Sequence, residues 1–341
     1  MAERILVTGG LGFLGSAFIR AAAHRRQGVL NVDLATYAAD ERRIAETLQH
    51  HGHWSIRTER MDVASEVFTE LVRRERPPLI VHFAAESHVT RSEREGRRFL
   101  RSNVEGTRRV MEAAEEAGVG LVVHISTDEV YGPCSGRPFR EEDKVPAEGR
   151  ATSAYARSKA LSDDLARSFF GRVPLIVARP TNCFGPWQHP EKAVPRWIIR
   201  GLLEERIPVW GDGMHVRDWM FVDDACAGIE LLISQGTPGE VYNLAPQGQQ
   251  LPNVEIARMI ARAAGSPEDA VYLTEYDRPL HDRRYAIDAS KIRALGWQPA
   301  RALEDRLMET VAWYRSHRDW WIPLLPKAEE LYADAVERGA R

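Results

Sequence analysis

Two groups of residues have the types and spacing to move protons. Tyr155 and Lys159 stand four apart in Ser153-Ala154-Tyr155-Ala156-Arg157-Ser158-Lys159, so on a helix both side chains leave one face about a turn apart. An ammonium so placed stabilises a phenolate and draws a phenol from its ordinary value of about 10 toward one useful to a general base. The second group is the hydroxyl and two adjacent carboxylates of Ser126-Thr127-Asp128-Glu129-Val130-Tyr131-Gly132. Adjacent carboxylates in a cleft repel. That repulsion, with partial burial, keeps one protonated and able to give a proton while its neighbour takes one. Either group alone is common on a solvated helix or loop, so the surrounding elements decide whether it acts.

Those elements read as βαβ repetition. Up to about residue 180, short apolar runs alternate with longer amphipathic segments: Ile5-Leu6-Val7, Val29-Leu30-Asn31-Val32, Ser55-Ile56-Arg57, Leu79-Ile80-Val81-His82-Phe83, Leu121-Val122-Val123-His124-Ile125 and Leu175-Ile176-Val177-Ala178. Runs apolar on both faces predict a parallel sheet covered by helices on both sides, an α/β fold of the doubly wound, Rossmann type. The intervening helices are expected over Gly12 to His24, Arg98 to Ala117 and Ser153 to Phe170. After Pro186 the texture turns to Trp-, Pro- and Gly-rich loops. We therefore expect a dinucleotide-binding domain over 1–180 and a smaller, mainly substrate-binding α/β domain over 181–330, with segments near 220–245, including Val241-Tyr242-Asn243-Leu244, returning to the large sheet.

The first strand runs into Gly9-Gly10-Leu11-Gly12-Phe13-Leu14-Gly15, a GxxGxxG at a strand-to-helix turn. Glycines here allow a tight turn and close approach of backbone N–H groups to a pyrophosphate, which the helix N-terminus favours. Asp33 ends the second strand, where a carboxylate accepts from ribose hydroxyls and repels a 2′-phosphate, predicting NAD. A bound nicotinamide would add its positive charge to that of Lys159 in favouring a Tyr155 phenolate. Asp62-Val63 and Phe83-Ala84-Ala85-Glu86-Ser87 follow later strands at the same sheet edge, where open α/β sheets bind ligands.

Composition narrows the function classes. The 341 residues are 44% hydrophobic and 28% charged with a formal charge of -3, an ordinary globular composition. No apolar run reaches the roughly 18 residues of a membrane helix, and Met1-Ala2-Glu3-Arg4 leads directly into Ile5 with no signal-peptide pattern, so a cytoplasmic protein without a membrane partner is expected. Cys134, Cys183 and Cys226 are odd in number and form no CxxC pair, predicting free thiols and no metal. Only five of the 46 basic residues are Lys. The Arg-rich stretch 91–101 includes Glu93 and Glu95, so nucleic acid is not the expected partner.

Together these residues resemble the extended short-chain dehydrogenase/reductase family, most closely its nucleoside-diphosphate-glucose 4,6-dehydratases of the dTDP-glucose type. The resemblance spans nearly the whole chain. Beyond the motifs above it rests on Asn31-Val32-Asp33, Ala84-Ala85-Glu86-Ser87-His88-Val89, Pro190-Glu191-Lys192, Val216-Arg217-Asp218-Trp219 and His281-Asp282-Arg283-Arg284-Tyr285-Ala286-Ile287-Asp288. It implies that Tyr155, beside Lys159, takes the proton of a sugar 4-hydroxyl that Thr127 also binds. Glu129 then removes the C5 proton, Asp128 protonates the departing 6-hydroxyl, and NAD holds the hydride between C4 and C6. Carried over, the NAD site comprises Gly9, Gly12, Phe13, Leu14, Gly15, Asp33, Leu34, Thr36, Asp62, Val63, Phe83, Ala84, Ala85, Ser87, Ser102, Tyr155, Lys159 and Cys183. The nucleoside-diphosphate sugar falls on Ser87, Thr127, Asn182, Lys192, Ala193, Pro208, Val209, Trp210, Arg217, Asn253, Arg278 and His281, with Arg217 and His281 as donors to the diphosphate. The resemblance also implies a homodimer packed through the helices around 98–117 and 153–170. Thr90, Cys183 and Trp210 depart from the Asp, Asn and Tyr usual in the family. A 4-epimerase or decarboxylase of the same fold normally lacks the Asp-Glu pair, and an idle NAD-binding sensor would have lost Tyr155 or Lys159.

Overall fold

The structure, a computed structural model, describes residues 4–51, 56–145, 153–246, 248, 250–277 and 282–339. The apolar runs form β1 (Ile5–Thr8), β2 (Val29–Asp33), β3 (Ile56–Arg60), β4 (Leu79–His82), β5 (Leu121–Ile125) and β6 (Leu175–Pro180). Successive side chains of a strand face opposite ways, and neighbours along these strands do enter different cores. Val7, Val123, Ile176 and Ala178 pack with Phe18, Ile19 and Ile229 on one face. Leu6, Val122, Leu175 and Val177 pack with Phe68, Val110 and Met111 on the other.

Later strands are β7 (Asn182–Phe184), β8 (Ile207–Trp210), β9 (Val216–Phe221), β10 (Val241–Leu244), β11 (Gln250–Pro252) and β12 (Val271–Thr274). The large sheet has seven strands in the order β10-β6-β5-β4-β1-β2-β3, every pair parallel. The chain winds outward from β1 in one direction through β2 and β3 and in the other from β4. The crevice for a ligand therefore opens between β1 and β4. The helix Val222–Gln235 packs on β5 and β6, and β10 pairs beside β6. The small sheets are β11-β9-β7 and β12-β8.

The expected helix over 98–117 is not uniform. Its first part, Gly96–Phe99, passes into a π-helical stretch, Leu100–Glu105, before the regular helix Gly106–Ala117. The wider turn sets Asn103 inward. There its amide donates to the Glu86 carbonyl at 3.0 Å and the Ser158 hydroxyl at 2.8 Å and accepts from the Glu86 N–H at 2.8 Å. Interruptions of this kind concentrate at functional sites because they re-aim side chains. This one ties the loop after β4 to the helix Ala154–Arg167, which carries Tyr155 and Lys159.

A buried ion pair fixes the far side of that helix. Asp163 and Arg179 have fully buried side chains. Arg179 donates from Nε and Nη2 to the two carboxylate oxygens at 2.9 and 2.6 Å, and from Nη1 to the Tyr131 hydroxyl at 2.5 Å. Removing one partner of such a pair strands a buried charge. Asp163→Ala is therefore expected to cost about 3–5 kcal/mol of folding stability, read as a lowered midpoint in urea unfolding.

Candidate active site

The carboxyl ends of the parallel strands border a cavity of about 500 Å³. At its β1–β4 end the glycine loop leaves no room for side chains. A Cβ on Gly9 (φ +73°) would lie 2.7 Å from the Ala84 nitrogen, and one on Gly15 would lie 2.3 Å from the Gly9 carbonyl oxygen. The loop is pinned by side chains of β2. Asn31 Oδ1 accepts from the Gly10 N–H at 3.0 Å, and Asp33 accepts from the Leu11 N–H at 2.9 Å and the Ala35 N–H at 2.8 Å. Each Asp33 oxygen keeps capacity for a ribose hydroxyl. The one cationic side chain among the described residues lining this end, Arg43, donates to the carbonyls of Leu11, Ala38 and Trp187. It is committed to holding the loop rather than to a 2′-phosphate. The glycine cradle at a helix N-terminus and the strand-end carboxylate fit a dinucleotide carrying a free 2′-hydroxyl.

Thr127, Glu129, Tyr155 and Lys159 border the same cavity. The first turn of the helix Ala154–Arg167 is held from three sides: Glu93 accepts from the Ala154 N–H, Ser92 from the Tyr155 N–H and the Ser153 N-cap hydroxyl from the Ala156 N–H. Tyr155 is thereby set against Thr127, whose hydroxyl bonds the phenol. Lys159 donates to the Ile125 carbonyl at 2.9 Å, and burial lowers its ammonium to about 8. The expected depression of the Tyr155 phenol is reversed in the protein alone: burial first, then the Glu129 carboxylate, push it above its ordinary range. The Lys159 ammonium instead spends a hydrogen bond on the end of β5.

Asp128 and Glu129 differ in environment. Glu129 borders the cavity, whereas Asp128 is 2% exposed and lies behind it. Burial, then the Glu129 charge, raise the Asp128 carboxyl to about 7. Its Oδ1 meets the Thr127 hydroxyl at 3.3 Å and its Oδ2 the Thr181 hydroxyl at 2.9 Å. Thr181 Oγ1 is also 3.0 Å from the Asp218 carbonyl oxygen. A hydroxyl has one proton to donate. When Thr181 gives its proton to that carbonyl, Asp128 must bring its own, which favours the neutral acid.

The NAD-side residues inferred from the resemblance border this one cavity, as do Ser87, Thr127, Asn182, Lys192, Ala193, Pro208, Trp210, Arg217 and Asn253. Val209 does not. It is 1% exposed and belongs to the core, because in β8 it lies between Pro208 and Trp210 and faces the opposite way. Arg278 and His281 lie outside the described residues. Arg217 is buried, donates to the carbonyls of Val216 and Asp282 at 2.7 Å and lies 4.2 Å over the Tyr285 ring. Asn182 Oδ1 is buried without a partner in the protein, an acceptor suited to a ligand donor. Asp62 borders the cavity but is ion-paired to Arg101 at 2.9 Å.

Other cavity residues were not anticipated. Glu191, buried, accepts from the Tyr37 hydroxyl at 2.8 Å, and burial raises its carboxyl. It sits in a quoted motif but is an ordinary loop carboxylate by spacing. Tyr332, which donates to the Glu191 carbonyl and lies under the Arg196 guanidinium, comes from the last helix, Leu325–Gly339, where no motif marks it. Among the described residues no group of His, Cys, Asp and Glu could hold a metal, and no helix is long and apolar enough to cross a membrane.

The chain matches the model of the NAD dependent epimerase/dehydratase family over residues 5–245. It is 39% identical over 333 residues to the dTDP-glucose 4,6-dehydratase of Streptomyces griseus, covering 96% of this chain and 98% of that one. It is 40% identical over 313 residues to the low-salt glycan biosynthesis protein Agl12 of Haloferax volcanii, covering 91% and 98%. Among solved structures it is similar to DesIV, a dTDP-glucose 4,6-dehydratase from Streptomyces venezuelae determined with NAD bound, with a TM-score of 0.86, 38% identity and coverage of 94% and 99%. A family match spanning most of the chain, relatives aligned nearly end to end, and a glycine cradle with Tyr155 and Lys159 at the edge of a parallel sheet lead to one conclusion: this protein belongs to the NAD-dependent epimerase/dehydratase family.

Proposed function

We propose that this protein is an NAD-dependent 4,6-dehydratase that converts a nucleoside-diphosphate hexose of the dTDP-glucose kind to its 4-keto-6-deoxy form. The observation that carries the reading is the unlike carboxyl pair after β5, a buried Asp128 raised to about 7 beside a Glu129 that borders the cavity. Simple oxidation or epimerisation at C4 needs a single base; elimination of water across C5 and C6 needs one group to take a proton and another to give one. NAD held by the glycine loop 9–15 and Asp33 would supply a reversible acceptor for hydride beside the sugar. Tyr155 takes the proton of the 4-hydroxyl while Thr127 holds that oxygen. The resulting ketone acidifies C5, Glu129 removes the C5 proton, and Asp128 protonates the departing 6-hydroxyl. Glu129 then returns its proton to C5.

In this reading residues 1–180, with the returning segment near 220–245, hold the dinucleotide, and 181–330 mainly hold the sugar nucleotide. Arg217 and His281 serve as donors to the diphosphate, Lys192 contacts the sugar nucleotide, and Trp210 lies beside the nucleobase. The protein works in the cytoplasm as a homodimer joined through the helices that carry Asn103 and Tyr155.

Incubating the purified protein with a panel of nucleoside-diphosphate hexoses tests the reading. Loss of one water by mass spectrometry is expected for at least one of them; a product of unchanged mass with inverted C4 would identify an epimerase instead. Glu129→Gln is expected to reduce bound NAD when given that sugar, yet to lose water on the order of a hundredfold or more slowly. The reduced-nicotinamide absorbance then rises and persists.

The same pair predicts a pH effect on folding. A carboxyl at about 7 in the fold and about 4 unfolded binds its proton more tightly when folded. Its stabilisation is fully present below about pH 4 and is lost as pH rises through about 7. The stability of the wild type minus that of Asp128→Asn should therefore fall across this window, as read from urea unfolding at successive pH values.

A further inference from the structure

A buried polar atom without a partner in a cavity wall marks a place where a ligand completes the bonding. Gln188 carries one. The residue is 8% exposed and borders the cavity, and its Oε1 has no hydrogen-bond partner among the described residues. The nitrogen of the same amide is engaged, since Nε2 donates to the Cys183 carbonyl at 2.8 Å. That bond also settles which way round the amide lies. A carbonyl only accepts, so the nitrogen must face Cys183 and the oxygen is the atom left over.

The fold fixes Gln188 through its neighbours as well. Its N–H donates to the Gly185 carbonyl, and its own carbonyl accepts from the Tyr314 hydroxyl. The residue before it, Trp187, has a φ of +69°, a left-handed conformation that is costly for so bulky a side chain. Trp313, His317 and Trp320 pack around the Trp187 ring and keep it there. The Trp187 carbonyl in turn accepts from Arg43 at 3.1 Å, and Arg43 donates to the Leu11 carbonyl of the glycine loop at 2.6 Å. Gln188 is thus tied through its backbone to the glycine loop and through its side chain to Cys183. Backbone strain that packing maintains beside an orphaned acceptor points to use.

A dinucleotide with its adenosine ribose at Asp33 runs past the glycine loop and brings its nicotinamide toward Tyr155 and Lys159. Cys183 borders the same cavity and is close enough to Tyr155 to act on its charge. The donors that the cofactor offers on this stretch are ribose hydroxyls and the amino group of the nicotinamide carboxamide. The carboxamide is the better match, because it and the glutamine amide each have both a donor and an acceptor. We propose that Gln188 is a cofactor-orienting residue whose Oε1 accepts from the carboxamide N–H of bound NAD. The Cys183 thiol does not compete for this role, since it donates to the Thr181 carbonyl at 3.4 Å. An acceptor fixed to the protein restrains rotation of the nicotinamide ring, so that one face stays turned toward the sugar.

An epimerase with this pocket would hold NAD in the same way, so the test is independent of the sugar chemistry and reads cofactor release. The protein is loaded in turn with NAD, with its acetylpyridine analogue, whose methyl ketone keeps the carbonyl and lacks the N–H, and with its thionicotinamide analogue, which keeps the N–H. The rate at which each dinucleotide leaves is measured by displacement. The ratio of the acetylpyridine release rate to that of NAD should be roughly three to ten in the wild type, the worth of one neutral hydrogen bond, and about one in Gln188→Met. The thionicotinamide analogue should leave the wild type at nearly the rate of NAD. A ratio unchanged in Gln188→Met would overturn the proposal: with both rates raised, Gln188 merely holds the loop, and with both rates as in the wild type, another group reads the carboxamide. Equal release of NAD and the acetylpyridine analogue from the wild type would overturn it whether or not the variant folds. So would release of the thionicotinamide analogue as fast as the acetylpyridine one, since the carbonyl and not the N–H would then be the group recognised.

Discussion

The helix Ala154–Arg167 lays a polar stripe against the sheet, and each group on that stripe has to be paired. Tyr155, Ser158, Lys159, Ser162 and Asp163 are all buried, at the spacing that in most helices carries Leu and Ile. Burying such groups without partners would cost several kcal/mol apiece. The structure answers each of them: Thr127 for Tyr155, Asn103 for Ser158, the Ile125 carbonyl for Lys159, Thr107 and His124 for Ser162, and Arg179 for Asp163. The network reaches further, since Thr107 also contacts His82 and His82 contacts Thr8 at the end of β1. Burial pushes both histidines down, so they join as neutral hydrogen-bonding groups and add no charge beside Lys159.

That seam makes the helix position non-negotiable, and chemistry follows from position. Sliding the helix along the sheet would break several buried bonds together, whereas an apolar face could repack at modest cost. Tyr155 is consequently presented to Thr127, and Thr127 to Asp128, within one rigid unit made of the end of β5, a 3₁₀ turn and a pinned helix. The same reasoning accounts for the interrupted helix before Gly106: without the wider turn, Asn103 would not face Ser158 and Glu86 together.

The two carboxylates show how environment divides identical chemistry. They are adjacent in sequence and share a backbone turn, yet one borders the cavity and the other is enclosed by hydroxyls. Desolvation and a neighbouring negative charge both favour the neutral form of the enclosed group. In the proposed dehydration, the division of labour between acid and base is thus set by which side of the turn each side chain occupies.

Much of this was legible from residue order alone. Continuous apolar runs with helical segments between them can be satisfied only by a parallel sheet covered on both faces. A glycine turn after the first strand with Asp33 ending the second marks a dinucleotide edge, because both features answer to local backbone geometry. The Tyr155–Lys159 spacing and the Asp128–Glu129 adjacency are likewise local, and their chemistry could be stated before any fold was known. What required the tertiary structure was every property that depends on distant neighbours. Val209 looked like Pro208 and Trp210 until β8 had a direction and a face. Glu191 and Tyr332 join the cavity from segments far apart in the chain. The Tyr155 phenol rises rather than falls because burial and Glu129 act on it while Lys159 is turned to a carbonyl. Sequence carries periodicity, spacing and side-chain chemistry; burial and the partners of a buried charge are set by the packing of remote segments, and they decided which carboxyl holds its proton.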